Sequence, residues 1–160
     1  MTSINVGLGG VIFRTETMKG DSVNAITPES FICQLDHRET QIIALELLAL
    51  LATIYTYRGQ LKDSLCLIFV DNISVACMMA KGTTSMPDLQ PLVTATHTML
   101  HALNVKWWME WIPSKSNPAD EPSRDGQSSL FPNRPMVIPK WAIPSAKVQS
   151  IIEQVVEDLK

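Results

Sequence analysis

Several things are scarce in this chain, and each scarcity narrows what it can be. Its longest apolar stretches, QIIALELLALLATIY and LCLIFV, are too short or too interrupted to span a bilayer, and no charged-then-apolar leader opens the sequence. No membrane partner is expected. Basic residues are few: 13 Lys and Arg against 16 Asp and Glu give a net charge of -3. A free-standing, non-specific nucleic-acid binder normally carries a basic face, so that class is disfavoured. A domain delivered to its substrate by a larger protein is not. The three cysteines (Cys33, Cys66, Cys77) are odd in number, far apart and without metal-knuckle spacing. They read as reduced core thiols, which places the chain in an intracellular compartment, cytoplasm or nucleus.

What is present is an ordinary globular composition, 46% hydrophobic and 18% charged over 160 residues, enough for one domain with a real core. Residues 4–13 read as a strand relaxed by Gly7, Gly9 and Gly10, a sign of a bend, a bulge or close backbone approach. A turn and second strand follow, and FICQL at 31–35 reads as a third. Apolar residues at helical spacing fill 38–57, so apolar that most of the helix circumference must be buried. The run at 65–70 has the signature of a central strand covered on both faces. A short helix over 75–81 stops at Gly82. A longer helix spans 87–103 with Ser85 as N-cap, and VKWWMEWI at 105–112 is the last strand, stopped by Pro113. Four prolines make 125–144 an extended connector. An amphipathic helix over 145–159 closes the chain, with Ser145 as N-cap and Val148, Ile151, Ile152, Val155, Val156 and Leu159 as its stripe. Strands followed by helix–strand alternation predict an α/β fold with a mixed sheet.

Three acids occupy three different settings: Glu46 mid-helix, Asp71 at the end of the 65–70 strand, Asp120 at the start of a later helix. Carboxylates so placed can converge at the rim of a mixed sheet, where they repel one another unless protons or divalent metals neutralise them. Each has a structural alternative. Asp71 can cap the helix that Asn72 and Ile73 begin. Glu46 can pair with Arg38 or Lys62, since an unpaired buried carboxylate is costly. Asp120 can simply favour a helix N-terminus.

The text around these acids resembles a known family. GLGGVIF, QIIALELLALL, IFVDN, KGTTS and WIPSKSNPADEPSR follow the order and spacing of the ribonuclease H domain of retroelement reverse transcriptases, closest to the tyrosine-recombinase-type elements. The most specific block is Asn-Pro-Ala-Asp-x-x-Ser-Arg directly after a W-x-x-W-I-P strand. The resemblance covers residues 1–124, followed by the connector 125–144 and the C-terminal helix 145–160. It implies a ribonuclease-H-like mixed five-stranded sheet flanked by helices, with the last helix as an addition. It implies hydrolysis of the RNA strand of an RNA–DNA hybrid, with Glu46, Asp71 and Asp120 as ligands of two Mg²⁺ ions (Mn²⁺ substituting). A reverse transcriptase domain in a retrotransposon parent protein is the implied neighbour, and hybrid selectivity would come from sensing 2′-hydroxyls.

The family's fourth carboxylate, an aspartate early in the first strand, has no counterpart. The matching position is Met1 or Thr2, and Asn5 lies past it with only a neutral amide. A chain boundary, an engineered inactive variant and a natural degenerate copy each account for this. The alternative reading is therefore a catalytically inactive binding or assembly module docking through its C-terminal stripe. A related transposase or resolvase nuclease is disfavoured by the NPADEPSR text.

Secondary candidates surround the acids. Asn72, Lys115, Ser116, Asn117 and Arg124 are candidate nucleic-acid contacts. Asn72 serves equally as a helix cap, and Arg124 equally as a clamp on Asp120. Lys81, Lys106 and Arg134 are scattered further cations. His97 and His101 stand four apart on one helix face, a spacing able to bind metal, but with no third ligand nearby they read as structural. The GLGG text lies inside a strand and lacks the further glycine of a dinucleotide fingerprint. Trp107, Trp108 and Trp111 offer stacking surfaces, though an alternating strand points at least two of them to packing.

Overall fold

The computed structural model describes residues 7–160. The protein is α/β, and among those residues the strands form two sheets. The first joins β1 (Gly7–Arg14), β2 (Lys19–Ile26) and β5 (Asn133–Pro135) in the order β1-β2-β5. β1 and β2 are an antiparallel hairpin in the register Gly10↔Val23, while β5 lies parallel to β2 with Ser22 opposite Asn133. The second sheet holds β3 (Leu65–Val70) parallel to β4 (Lys106–Trp111), Leu65 opposite Lys106. No strand pairing joins the two sheets among the described residues.

Helices supply the rest. They are α1 (Glu29–Ile32), α2 (Ile42–Thr56), α3 (Arg58–Leu61), α4 (Ile73–Lys81), α5 (Gln90–Ala102), α6 (Asp120–Asp125) and α7 (Val148–Asp158). α2 is buried around much of its circumference, through Ala44, Leu47, Leu48, Leu51, Ala52 and Ile54, because it lies between β1, α4 and α5. α7 closes the helical layer against α5 with Ile151 and Val155 fully buried. Its far end is tied to α2: the Tyr55 hydroxyl and the Trp141 indole N–H both donate to Asp158 Oδ2, at 2.7 and 2.8 Å.

The glycines of β1 explain how helices reach both sides of this strand. A Cβ on Gly10 would sit 2.0 Å from Thr53 Oγ1 of α2, and one on Gly9 would sit 2.4 Å from the backbone nitrogen of Ser123 in α6. α6, which begins at Asp120, lies flat on β1 only because no side chain intervenes.

Several sequence expectations are corrected. Residues 31–35 are not a strand: Pro28 leads into α1, whose backbone closes through Cys33 N–H to Glu29 O at 2.9 Å. The single five-stranded sheet is not observed either: among the described residues the strands divide three and two, and β5 comes from inside the proline-rich 125–144 segment, which also buries Met136, Trp141 and Ala142. α5 begins at Gln90 without a Ser85 cap, and Ser145 precedes α7 in a left-handed conformation, φ 60°, rather than capping it. All three cysteines are free; Cys33 and Cys77 are exposed and so not core thiols, while half-buried Cys66 packs against the core. The stretch read as a strand over 4–13 is observed from Gly7; residues 4–6 lie outside the described residues. No helix of the described chain is long and apolar enough to cross a membrane.

Candidate active site

Glu46, Asp71 and Asp120 come from α2, the residue after β3 and the first residue of α6. The structure brings them within electrostatic reach of one another. Burial first, then the charges of Asp71 and Asp120 and a hydrogen bond with Asp71, together raise the Glu46 carboxyl from 4.5 to about 7. A half-buried carboxyl facing two others holds its proton into the neutral range because ionising it would place a third like charge in a poorly solvated spot. Neither Arg38 nor Lys62 relieves it. Arg38 pairs with the fully buried Asp88, which also accepts the Asp36 N–H at 3.0 Å, and no described ion pair involves Lys62.

Local structure fixes the other two acids. Asn72, not Asp71, is the cap of α4: its Oδ1 accepts from the N–H groups of Ser74 and Val75 at 2.9 and 3.2 Å. Asp71 is thereby left free of capping duty at the strand's C-terminal end. Ahead of Asp120, residues Ser114–Ser116 form a 3₁₀ turn, and Asn117 Oδ1 accepts from Ala119 N–H at 3.0 Å. The Asp120 N–H then donates to Asn117 O at 3.1 Å. Asn117 thus shapes the entry to α6. Arg124, one turn on, donates from Nε to Asp120 Oδ2 at 2.9 Å, with its second nitrogen at 2.9 Å from the same oxygen. It is a clamp on Asp120. Glu121 is occupied elsewhere: Ser129 donates to it from both its N–H and its hydroxyl, which lowers its pKa.

As they stand, the three acids are neighbours and not a closed cage. Among the described residues no group of three or more His, Cys, Asp or Glu is gathered tightly enough to hold a metal ion. The two observations are compatible, because charge–charge coupling reaches farther than a coordination bond and Arg124 holds one oxygen of Asp120 aside.

An open cleft of about 460 Å³ adjoins Asp120, lined in part by Lys115, Asn117, Arg124 and Ser129. Lys115 and Ser116 are exposed on its turn. On the Asp71 side stands Trp111, half-exposed, whose indole N–H donates to Asp71 O at 3.0 Å. Packing and stacking looked alike for it in the sequence; its position opposite Val70, the residue before Asp71, is the distinguishing signal. Of the three tryptophans of β4 only Trp107 turns inward, edge-on to His97, not the two or more expected to pack; Trp108 is exposed. His97 Nε2 lies 2.7 Å from Met79 O, so it joins α5 to α4, while His101 is exposed. Lys81 and Lys106 are exposed and Arg134 lies 3.8 Å from Asp21, none of them close to the acids in any described contact. Thr2, Met1 and Asn5 lie outside the described residues. Comparison of the chain with protein-family models, with curated proteins and with solved structures gives no match.

Proposed function

We propose that this chain is a ribonuclease-H-like domain of a retroelement reverse transcriptase, hydrolysing the RNA strand of RNA–DNA hybrids at Glu46, Asp71 and Asp120. The observation that carries the reading is a half-buried Glu46, raised to about 7 by burial first and then by the charges of Asp71 and Asp120, which reach it from two other elements. The same three acids sit in the text that resembles the family, so their coupling supports the residues that the motif names.

The donor set fits the implied cation. Hard carboxylate oxygens whose mutual repulsion is relieved only by a proton on Glu46 and by Arg124 on Asp120 favour Mg²⁺ or Mn²⁺, and Glu46, Asp71 and Asp120 are the residues that would hold it. The chemistry supplied by such bound ions is activation of a water and stabilisation of the leaving oxygen in phosphodiester hydrolysis. The chain's own groups do the rest. Asp120 must exchange its bond with Arg124 for the cation, which frees the guanidinium for a phosphate in the adjoining cleft beside Lys115. Trp111 walls the opposite side, presenting a half-exposed ring to a base or sugar. The thin supply of cations fits a domain held on its hybrid by a polymerase neighbour inside the cell.

The alternative, an inactive binding module, keeps one support and loses another. The fourth carboxylate is lacking from the sequence, yet the C-terminal stripe offered for docking is spent in part on α5, with Ile151 and Val155 fully buried while Val148 and Val156 stay exposed. Cleavage of a labelled RNA–DNA hybrid in Mg²⁺ and Mn²⁺ separates the two readings. Activity in the unmodified chain or in Thr2→Asp, lost on adding Asp71→Asn, is the expected result. Silence from both of the first two, with the fold intact, would favour the binding module.

A further inference from the structure

The strand β3 has the composition of one buried on both faces, yet the described residues cover only one. Ile68 and Val70 turn inward, while Leu65 is 82% exposed, Leu67 64% and Phe69 51%. Beside them on β4, Trp108 is 63% exposed. The parallel register sets Leu65 opposite Lys106, Leu67 opposite Trp108 and Phe69 opposite Glu110. The open face is therefore two columns: Leu65, Leu67 and Phe69 in one, and Lys106, Trp108 and Glu110 in the other. A contiguous apolar patch of this extent marks an interaction site. We propose that it is covered by the same face of a second copy, in a twofold sheet-on-sheet dimer.

The order of the charges selects this occupant. A twofold axis running along the strands would stack Lys106 on Leu65 and Glu110 on Phe69, burying both charges unpaired, which is costly. A twofold axis running across the strands, through the central row, reverses strand direction and keeps each column facing itself. Leu67 then meets Leu67, Trp108 meets Trp108, Leu65 meets Phe69, and Lys106 meets Glu110. Every charge is paired and both apolar columns are covered. A Lys-Trp-Glu column read against itself is self-complementary, as an isologous interface requires. Face-to-face sheets pack about 10 Å apart with strands within about 30° of alignment, a gap that leucine and tryptophan layers fill.

Trp108 is already set for this. Its indole N–H donates to Glu110 Oε1 at 2.6 Å, which fixes the ring and leaves the second carboxylate oxygen for the partner's lysine. Because the strands of the two copies run in opposite directions, the C-terminal ends of β3 point away from each other. Both Asp71 residues and their clefts stay open at opposite ends of the dimer. The inference does not depend on nuclease activity, and its test reads association alone.

The test is sedimentation velocity of the full chain from about 1 to 100 µM, a range that brackets a micromolar dissociation constant. The unmodified chain is expected to dimerise as concentration rises. Lys106→Glu and Glu110→Lys should each weaken association at least tenfold, because each places like charges opposite one another. An equimolar mixture of the two variants, and the double variant Lys106→Glu/Glu110→Lys, should both restore the dimer. Restoration by mixing shows that the single variants were folded. A chain that stays monomeric across the range overturns the proposal, as does self-association indifferent to either charge reversal. The first result would leave the face to a different partner, and the second would move the dimer elsewhere on the surface.

Discussion

The two sheets of this protein are treated differently by the same chain. β1, with glycine at the points of contact, is covered by α2 on one side and α6 on the other, and its sheet is completed by a strand from the far end of the sequence. β3 and β4 carry far larger side chains, yet among the described residues their outer face is bare. Small residues let helices close over a sheet; bulky ones left open mark a surface meant for something else. The contrast also organises the candidate site. Asp120 arrives on the helix that the glycines admit, Asp71 ends the strand with the open face, and Glu46 faces both. The site therefore depends on how the two sheets sit around α2.

Three substitutions test that contrast, in falling order of effect. Ile68→Ala removes a buried side chain from the covered face of β3 and should cost about 2–5 kcal/mol in denaturant unfolding. Gly9→Ala drives a Cβ into the backbone of α6, at 2.4 Å from Ser123 N and 2.8 Å from Ala119 O. It should cost about 1–3 kcal/mol and, by lifting α6, uncouple Asp120 from Glu46, lowering the carboxyl titration of Glu46. Leu67→Ser, on the open face, should change the stability of the dilute monomer by no more than about 0.5 kcal/mol. A cost comparable to that of Ile68→Ala would mean that the face is already covered.

Much of this was legible beforehand because it is local. The apolar periodicity of α2, the continuous run of β3, the Gly82 stop of α4 and the stripe of α7 all appear where their patterns place them. The GLGG text allowed a bend, a bulge or close backbone approach; the structure shows the last, to α2 and α6. What escaped is long-range. FICQL has strand composition, but the turn after Pro28 commits it to a helix. Asp88 looks like a routine helix-start acid, and nothing local reveals that Arg38, fifty positions earlier, folds onto it and so leaves Glu46 unpaired. β5 is three residues between prolines, found only because Ser22 and Asn133 meet, the serine hydroxyl donating to Asn133 Oδ1 at 2.6 Å. The three acids were legible as candidates from motif and setting. Their mutual coupling is a property of the fold.

That coupling sets the pH behaviour. In the unfolded chain Glu46 ionises near 4.5, and in the folded chain near 7. Between those values the native state holds a proton that the unfolded state has lost, so stability falls as pH rises through the window and the loss is complete above it. A cation needs the ionised form, so its affinity should weaken as pH drops below about 7. Asp71→Asn removes one of the charges that raise Glu46 and should shift its titration back toward 4.5.

The most direct measurement is a Mn²⁺ titration by calorimetry, above and below pH 7, of the unmodified chain beside Asp71→Asn. Binding that is tighter above pH 7 and abolished by Asp71→Asn is the predicted result. An Asp71→Asn isotherm indistinguishable from that of the unmodified chain would contradict the assignment of Glu46, Asp71 and Asp120 as one cation site.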